Sequence, residues 1–353
     1  MTAPDPVAIA AGIAEREHVQ DVLKLAQRRI ATGRPAFAAE LGIALWRRYG
    51  LDERPPWQYR SALDRIVRLL CLSPGTVPEA VRLSTVIGEG RPVRLAAALL
   101  AGGHQPEELG PALGGDAPGE LRACLVHELA LRGRPVDVAP PAGHPLAWLP
   151  GALTPLEGRP AMPRYSLDGT GGALPSEHST VLAEAGAVPP LRETTTEDVS
   201  VAIEAAVRNW ARESNGQVES RTYELGAELV PGAAAATLRG LGLECFDGLT
   251  TVGAGVAGNA WRQLFTAASG GGAYSSGEYG AYGRLAAWRS IGALAGAPPG
   301  ATAGETEAAA LAAEWYAFAG ASPWFANVAW DIGLAAVSAG GRRLALLAAT
   351  DTD

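Results

Sequence analysis

The clearest structural pattern in the chain lies in residues 328–349, VAWDIGLAAVSAGGRRLALLAA. Large side chains at alternate positions from Val328 to Leu334 are separated by small or short ones. A period of two indicates a β-strand, because successive side chains point to opposite faces of a sheet. A turn over residues 338–341 and a return over residues 344–349 complete a predicted β-hairpin. One of its faces is bulky, and the other is small enough for a helix backbone or a ligand to approach closely.

The residues before this hairpin alternate between helical and extended patterns. Two of the predicted helices begin with a threonine followed three residues later by an acid, at Thr195 and at Thr302, which is typical of a capping box. Strands are predicted at 218–225 and 314–318, and helices after Thr195, at 257–268, at 281–295 and after Thr302. This part of the chain is therefore predicted to be α+β, with helices on a small antiparallel sheet of three or four strands.

The first third of the chain shows helical periodicity throughout. Apolar residues recur every three or four positions, and Gly and Pro residues separate the segments. Helices are predicted near residues 19–30, 37–48, 62–70, 77–87, 92–101, 106–113 and 121–129. Short helices in succession predict a helix-rich fold that begins with a stack of α-hairpins, although no sequence period is clear enough to identify a named repeat.

Prolines are concentrated between these two regions. Residues 134–192 carry eleven prolines and little periodicity, which favours an irregular connector. The sequence therefore predicts a helical N-terminal region at 1–133, a Pro/Gly-rich connector at 134–192 and an α+β domain at 193–353.

Composition and charge limit the classes of function. The 353-residue chain is 48% hydrophobic and 19% charged, so it can bury cores of ordinary size. Lys24 is the only lysine among 29 basic residues, the arginines are scattered, and the net charge is −8. Nucleic-acid binding is not expected without a basic stripe.

Cysteines and terminal patterns predict a cytoplasmic protein. Cys71, Cys124 and Cys245 are odd in number and lie in apolar surroundings, which is typical of buried thiols in a reducing compartment. The first residues lack a basic segment followed by an apolar one, and no stretch reaches the roughly 20 apolar residues of a membrane span. Neither secretion nor a membrane partner is expected.

Three segments resemble a known family. They are GGGAYSSGEYGAYGRLAAWRS at 270–290, WFANVAWDIGL at 324–334 and LLAATDTD at 346–353. Together they are similar to a family of uncharacterised bacterial proteins defined only as a domain of unknown function. The resemblance implies no activity, and it assigns no functional residue.

The first of these segments also holds the best candidate ligand contacts. Its glycine-rich loop leads into a helix, whose free amides suit an anion, and Tyr274, Tyr279 and Tyr282 are flat rings on which a ligand can stack. Arg284 follows on the helix, and Trp330 of the hairpin is a further candidate for a pocket wall. The alternative is an ordered loop packed on the sheet, with no ligand.

Three acids form a second, weaker candidate site. Asp331, Asp351 and Asp353 supply the oxygen ligands that a divalent cation needs if they converge. An odd-length hairpin turn places Asp331 and Asp351 on one face, and an even one places them on opposite faces. The alternative is a strand aspartate bonded to nearby backbone and a solvated tail.

Two other motifs lack the setting that their chemistry needs. Gly253-Ala-Gly255-Val-Ala-Gly258 has dinucleotide-binding spacing, but Thr250-Thr-Val252 is a poor strand to precede it. Cys124 and His127 lie one helical turn apart, without the further ligands of a zinc site, and favour a helical core.

No convergent catalytic set emerges from these motifs. The leading hypothesis is a non-catalytic binding or interaction protein, whose Tyr/Trp-rich C-terminal domain holds a protein partner or a small molecule. The alternative is an enzyme that uses carboxylates around Asp331 and Asp351 as catalytic groups, with a divalent metal. No other cofactor is predicted.

Overall fold

The computed structural model describes residues 5–172, 180–183, 185–248, 250–320, 322, 324–325 and 330–352, apart from the side chain of Pro231. Two compact units are present. One comprises Met1–Ala147 with Arg164–Gly171, and the other comprises Trp148–Pro163 with Gly172–Asp353. The predicted connector at 134–192 is thus divided between the two units.

The first unit is a stack of helices, as the spacing of apolar residues predicts. Its helices are α1 (Pro6–Ala11), α2 (Gln20–Ala31), α3 (Ala36–Tyr49), α4 (Trp57–Leu72), α5 (Val77–Ile87), α6 (Arg91–Gly103), α7 (Gly110–Leu113) and α8 (Gly119–Leu131). Helix α3 packs against α1, α2, α4 and α5, and α6 packs against α4, α5 and α8. Helix α8 is buried on all sides from Glu120 to Leu131, apart from the half-buried Arg122.

A two-stranded hairpin completes the first unit. Its strands are β1 (Arg164–Tyr165) and β2 (Thr170–Gly171). Arg68 of α4 holds this hairpin by donating from Nη1 to the carbonyl oxygens of Ser166 at 2.7 Å and Gly169 at 3.0 Å. An arginine that satisfies turn carbonyls in this way fixes a segment that has almost no core of its own.

The second unit is built on a six-stranded antiparallel sheet. Its helices are α9 (Glu197–Ile203), α10 (Arg208–Glu213), α11 (Ala234–Arg239), α12 (Ala257–Gly270), α13 (Tyr279–Ala295) and α14 (Ala303–Ala312). Its strands are β3 (Leu191–Glu193), β4 (Gln217–Leu225), β5 (Thr251–Gly255), β6 (Glu314–Ala319), β7 (Trp330–Val337) and β8 (Arg343–Asp351), in the spatial order β3-β4-β8-β7-β6-β5. The predicted class, helix-rich α+β with a small antiparallel sheet, is confirmed, although the sheet has more strands than the three or four expected.

The predicted C-terminal hairpin forms the centre of this sheet. Strands β7 and β8 pair from Trp330 opposite Asp351 to Val337 opposite Leu344. Both strands are buried on both faces over most of their length. On one face, a cluster that includes Ala335 and Leu346 packs with Leu238 of α11. On the other face, α12 contacts β6, and α13 contacts β7 and β8.

At Gly333, the small face of the hairpin is covered by the ring of Phe318 from the neighbouring strand β6. A Cβ atom at Gly333 of β7 would overlap the carbonyl oxygen of Phe318 in β6 and would lie 2.5 Å from its ring. The absence of a side chain therefore lets a buried aromatic ring lie against the strand backbone. The sequence predicts that a helix backbone or a ligand approaches this face closely. At Gly333, the group that approaches is the ring of Phe318.

Two strands of the sheet, β3 and β5, depart from expectation. Residues 251–255 form strand β5 at the edge of the sheet, although Thr250-Thr-Val252 is a poor strand by sequence. Pairing with β6 and a bridge between Gly253 and Val181 supply the stabilisation that side-chain propensity does not. Strand β5 contains the first two glycines of the Gly253–Gly258 motif and is antiparallel to its neighbour β6, so the parallel unit of a dinucleotide site is absent from the described sheet.

Candidate functional site

The loop of residues 271–278 joins α12 to α13 and contains the first candidate tyrosine. The backbone turns at Gly271, with φ of 86°, and again at Tyr279, with φ of 61°. Two hydrogen bonds close the loop onto the end of α12, from Gly271 N to Ala267 O at 3.0 Å and from Glu278 N to Ala268 O at 2.8 Å. The left-handed conformation at Tyr279 is strained for a side chain of this size and requires surrounding contacts to hold it.

Asp351, at the end of β8, anchors the loop at Ala273. Its carboxylate is fully buried and accepts two hydrogen bonds, from Ala273 N to Oδ2 at 2.8 Å and from Ser214 Oγ to Oδ1 at 2.7 Å. A Cβ atom at Gly272 would overlap Oδ2, so glycine is required for the loop to lie so close. A carboxylate predicted as a candidate catalytic or metal-binding group is thus an anchor for the loop.

Two polar side chains hold the middle of the loop. Ser275 Oγ accepts from Gly272 N at 2.9 Å. Asn209 Nδ2 donates to Ser275 Oγ at 3.3 Å and to Ser276 O at 3.1 Å. With the Asp351 contacts, these bonds fix the loop from both sides, so its conformation is set before any ligand arrives.

The three tyrosines differ in exposure. Tyr274 is 66% exposed at the tip of this fixed loop, whereas Tyr279 and Tyr282 are partly buried at the start of α13. One of the three candidate rings, that of Tyr274, is therefore accessible to a binding partner. Trp330 is partly buried, and its ring meets the buried ring of Trp210 edge to face, with centroids 6.5 Å apart.

Arg284 lies in a different environment from the one expected of a ligand contact. It is fully buried, and its Nε and Nη2 atoms donate to the two oxygens of the equally buried Glu157 at 2.6 and 2.7 Å. It also donates to the carbonyl oxygens of Pro150 and Ala152, both at 2.9 Å. These partners occupy the guanidinium of Arg284, so it is not available to an external ligand.

The same ion pair organises the segment before the sheet. Glu157 also accepts from Trp288 Nε1 at 2.8 Å and from Thr154 N at 2.9 Å. Because burying a charge is costly unless it is paired and hydrogen-bonded, these contacts determine where residues 148–163 lie within the second unit.

The hairpin register separates the two candidate aspartates. Asp351 lies opposite Trp330, and Asp331 lies opposite Thr350, because six residues separate the last pair, Val337 and Leu344. Asp331 and Asp351 therefore point to opposite faces of the sheet and cannot share one ion or one substrate atom. Asp353 lies outside the described residues, and within those residues no group of three His, Cys, Asp or Glu side chains converges as a metal site would.

The Cys124–His127 pair belongs to the core of the first unit. Both residues are buried, and His127 Nε2 lies 2.9 Å from the carbonyl oxygen of Leu146. Burial, and then the nearby acids Glu120 and Glu128, raise the pKa of the Cys124 thiol well above its ordinary value. A thiol held protonated in this way is not a nucleophile.

Sequence comparison places the chain in one family. The model of DUF6183, a family of unknown function, matches residues 20–353. The match covers almost the whole chain and confirms the resemblance to a domain of unknown function. No curated protein and no solved structure matches the chain. No helix among the described residues is long and apolar enough to cross a membrane.

Proposed function

We propose that this chain, which belongs to the DUF6183 family of unknown function, is a non-catalytic binding protein that recognises a protein partner through Tyr274. The observation that carries the proposal is the contrast within loop 271–278. Its backbone is fixed by Asp351, Ser275 and Asn209, while Tyr274 stays 66% exposed. A large ring on an immobilised backbone loses little conformational entropy on binding.

A protein partner fits this geometry better than a small molecule. Small-molecule sites are concave and enclose most of the ligand surface. Tyr274 instead projects into solvent, where it can insert into a pocket of a partner, as tyrosines at the centre of protein interfaces do. Tyr279 and Tyr282 at the start of α13 stay predicted neighbours of this contact, as does Trp330, whose ring packs edge to face on Trp210.

The alternative hypothesis, an enzyme that uses Asp331 and Asp351 together, needs both carboxylates on one face of the sheet. The register of β7 and β8 does not place them so. The two carboxylates lie on opposite faces, and Asp351 is committed to Ala273 and Ser214.

A cytoplasmic location accompanies this proposal. All three cysteines are free and buried, which suits a reducing compartment. The net charge of −8 disfavours nucleic acid as the partner.

A photo-crosslinking experiment tests the proposed surface. A benzophenone amino acid is placed at Tyr274 and, as a control, at Leu51, which is 93% exposed but lies in the helical unit. We expect a discrete crosslinked protein from position 274 that position 51 does not give. Equal or absent crosslinking from both positions would overturn the proposal.

Binary binding then measures the contribution of the ring. The crosslinked protein is purified, and its affinity is compared for the wild type, Tyr274→Ser and Leu51→Ser. We expect Tyr274→Ser to weaken binding by about tenfold or more, as for a hot-spot residue, and Leu51→Ser to have no effect. Equal affinities for all three would show that Tyr274 is not the recognition residue.

A further inference from the structure

A groove crosses the surface of the helical unit. It has a volume of about 610 Å³ and is lined by one face each of α1, α3 and α5. Helix α3 contributes residues from Glu40 to Arg48 at helical spacing, and α5 contributes Arg82 and Val86, one turn apart. The volume falls within the roughly 300–1,000 Å³ typical of small-molecule sites.

The floor of the groove is apolar and made largely of small side chains. Ala10 of α1 and Ile43 of α3 are buried beneath it, and Ala44 and Val86 are partly buried along its walls. The groove stays open because its lining includes alanines, Ala10 and Ala44 among them, whose side chains are too small to fill the space between the three helices. An apolar chain that enters the groove removes this surface from water.

The charge around the groove is unbalanced. Asp5 is occupied as the N-cap of α1, where its side chain accepts from Val7 N at 3.0 Å, and Glu40 pairs with Arg82 at 3.7 Å. Arg47 and Arg48 are exposed and form no ion pair with any described residue. The guanidinium of Arg48 lies over the ring of Tyr49, 5.5 Å from its centroid, which leaves its positive charge without a neutralising acid. These two cations beside an apolar floor provide a local anion site in a chain whose net charge is −8.

The geometry points to a binding site for an amphipathic carboxylate, an acyl chain with one acidic head group. The acyl chain lies along the small-residue floor, and the carboxylate accepts hydrogen bonds from the guanidinium groups of Arg47 and Arg48. This site uses other residues than loop 271–278 and does not depend on the proposed function. An acidic amphipathic helix carries the same two features, but the size of the groove suits a small ligand better than a helix, which needs a longer contact surface.

Three probes separate the contributions of charge and chain. Calorimetric titration of the full chain with decanoate, below its micellar concentration, is expected to give saturable one-to-one binding. Acetate, which has only the charge, should not bind detectably, and decylamine, which has the chain and the opposite charge, should bind at least about tenfold more weakly. Failure of decanoate to saturate would overturn the proposal, as would equal binding of decylamine.

Variants with matched changes locate the site. Arg47→Ala/Arg48→Ala should weaken decanoate binding by about tenfold or more, whereas Arg28→Ala/Arg29→Ala, the same change at consecutive arginines of α2, should leave it unaltered. Ala44→Phe should abolish binding by filling the groove, with its fold checked by circular dichroism. If all variants bind alike, the ligand lies elsewhere. Binding of an acidic amphipathic peptide in place of decanoate would also reject the carboxylate and identify a helix-docking groove.

Discussion

Asp351 and Ala273 are joined by a 2.8 Å hydrogen bond that ties the last residue of strand β8 to the loop between α12 and α13. Two segments that resemble the same family, residues 270–290 and 346–353, therefore meet in space at a single buried carboxylate. The exposed ring of Tyr274 follows Ala273 directly, so its position depends on this bond.

We expect Asp351→Asn to destabilise the protein by about 1.5–3 kcal/mol, because a buried charge-assisted contact is weakened. Urea unfolding measures the change, and faster hydrogen exchange at the Ala273 amide would assign it to the loop. Asp116→Asn, the same change at an exposed site, should stay within about 0.5 kcal/mol. Unchanged exchange at Ala273 would show that the bond does not hold the loop.

Arg284→Met should be strongly destabilising, by about 3–5 kcal/mol, because it leaves Glu157 buried without its cation. Adding Glu157→Gln removes the charge and keeps an acceptor for Trp288, so the double variant should recover part of the loss. Arg192→Met at an exposed ion pair with Glu224 should cost no more than about 1 kcal/mol. A double variant less stable than Arg284→Met would contradict this account.

Gly333→Ala should destabilise the sheet by about 1–3 kcal/mol through overlap with Phe318. Gly340→Ala is the matched control, since a Cβ atom there has no heavy atom within 4 Å, and it should be neutral within about 0.5 kcal/mol. Denaturant midpoints compare the two variants. Equal midpoints would mean that the aromatic ring moves aside at little cost.

Alkaline pH should destabilise the fold partly through Cys245. Burial, more than the nearby Glu219, raises the pKa of this thiol to about 12, and the folded state therefore favours the protonated form. The resulting stabilisation is fully present below the unfolded-state pKa of about 8.5 and is lost as the pH rises through the folded-state value. Unfolding free energies measured between pH ~8 and ~11 should fall more steeply for the wild type than for Cys245→Ala. Parallel curves would show that the thiol does not titrate with unfolding.

Local patterns predicted most of the helices and the central hairpin. The apolar spacing of α2 to α8 and the alternation in β7 are set by which face each element buries, and the threonine of the Thr302 capping box does cap α14. The cap of α9 is Thr196, one residue after the predicted Thr195, because Thr195 Oγ1 instead accepts a hydrogen bond from Thr222 N of β4 at 3.0 Å. Strand β5 was missed because its stability comes from pairing with β6, which no local pattern shows.

The candidate sites were harder to predict, because their contacts join distant parts of the chain. Arg284 meets Glu157, 127 residues earlier, and nothing in the loop sequence indicates that partner. Whether Asp331 and Asp351 lie on the same face of the sheet depends on the number of residues in the turn between β7 and β8, and the sequence did not determine that number. The groove of Arg47 and Arg48 involves faces of three helices, and the apolar spacing within one helix does not show which helices lie beside it.

The strand order β3-β4-β8-β7-β6-β5 has a consequence for biosynthesis. Strand β4 leaves the ribosome long before β8, the strand that it must pair with, and β8 also completes β7. Nascent chains that have not reached residue 351 therefore expose an unpaired edge of β4, which invites association with other chains. The helical unit precedes this stage and can fold during translation, so chaperone dependence should be concentrated in the interval between the emergence of β4 and that of β8.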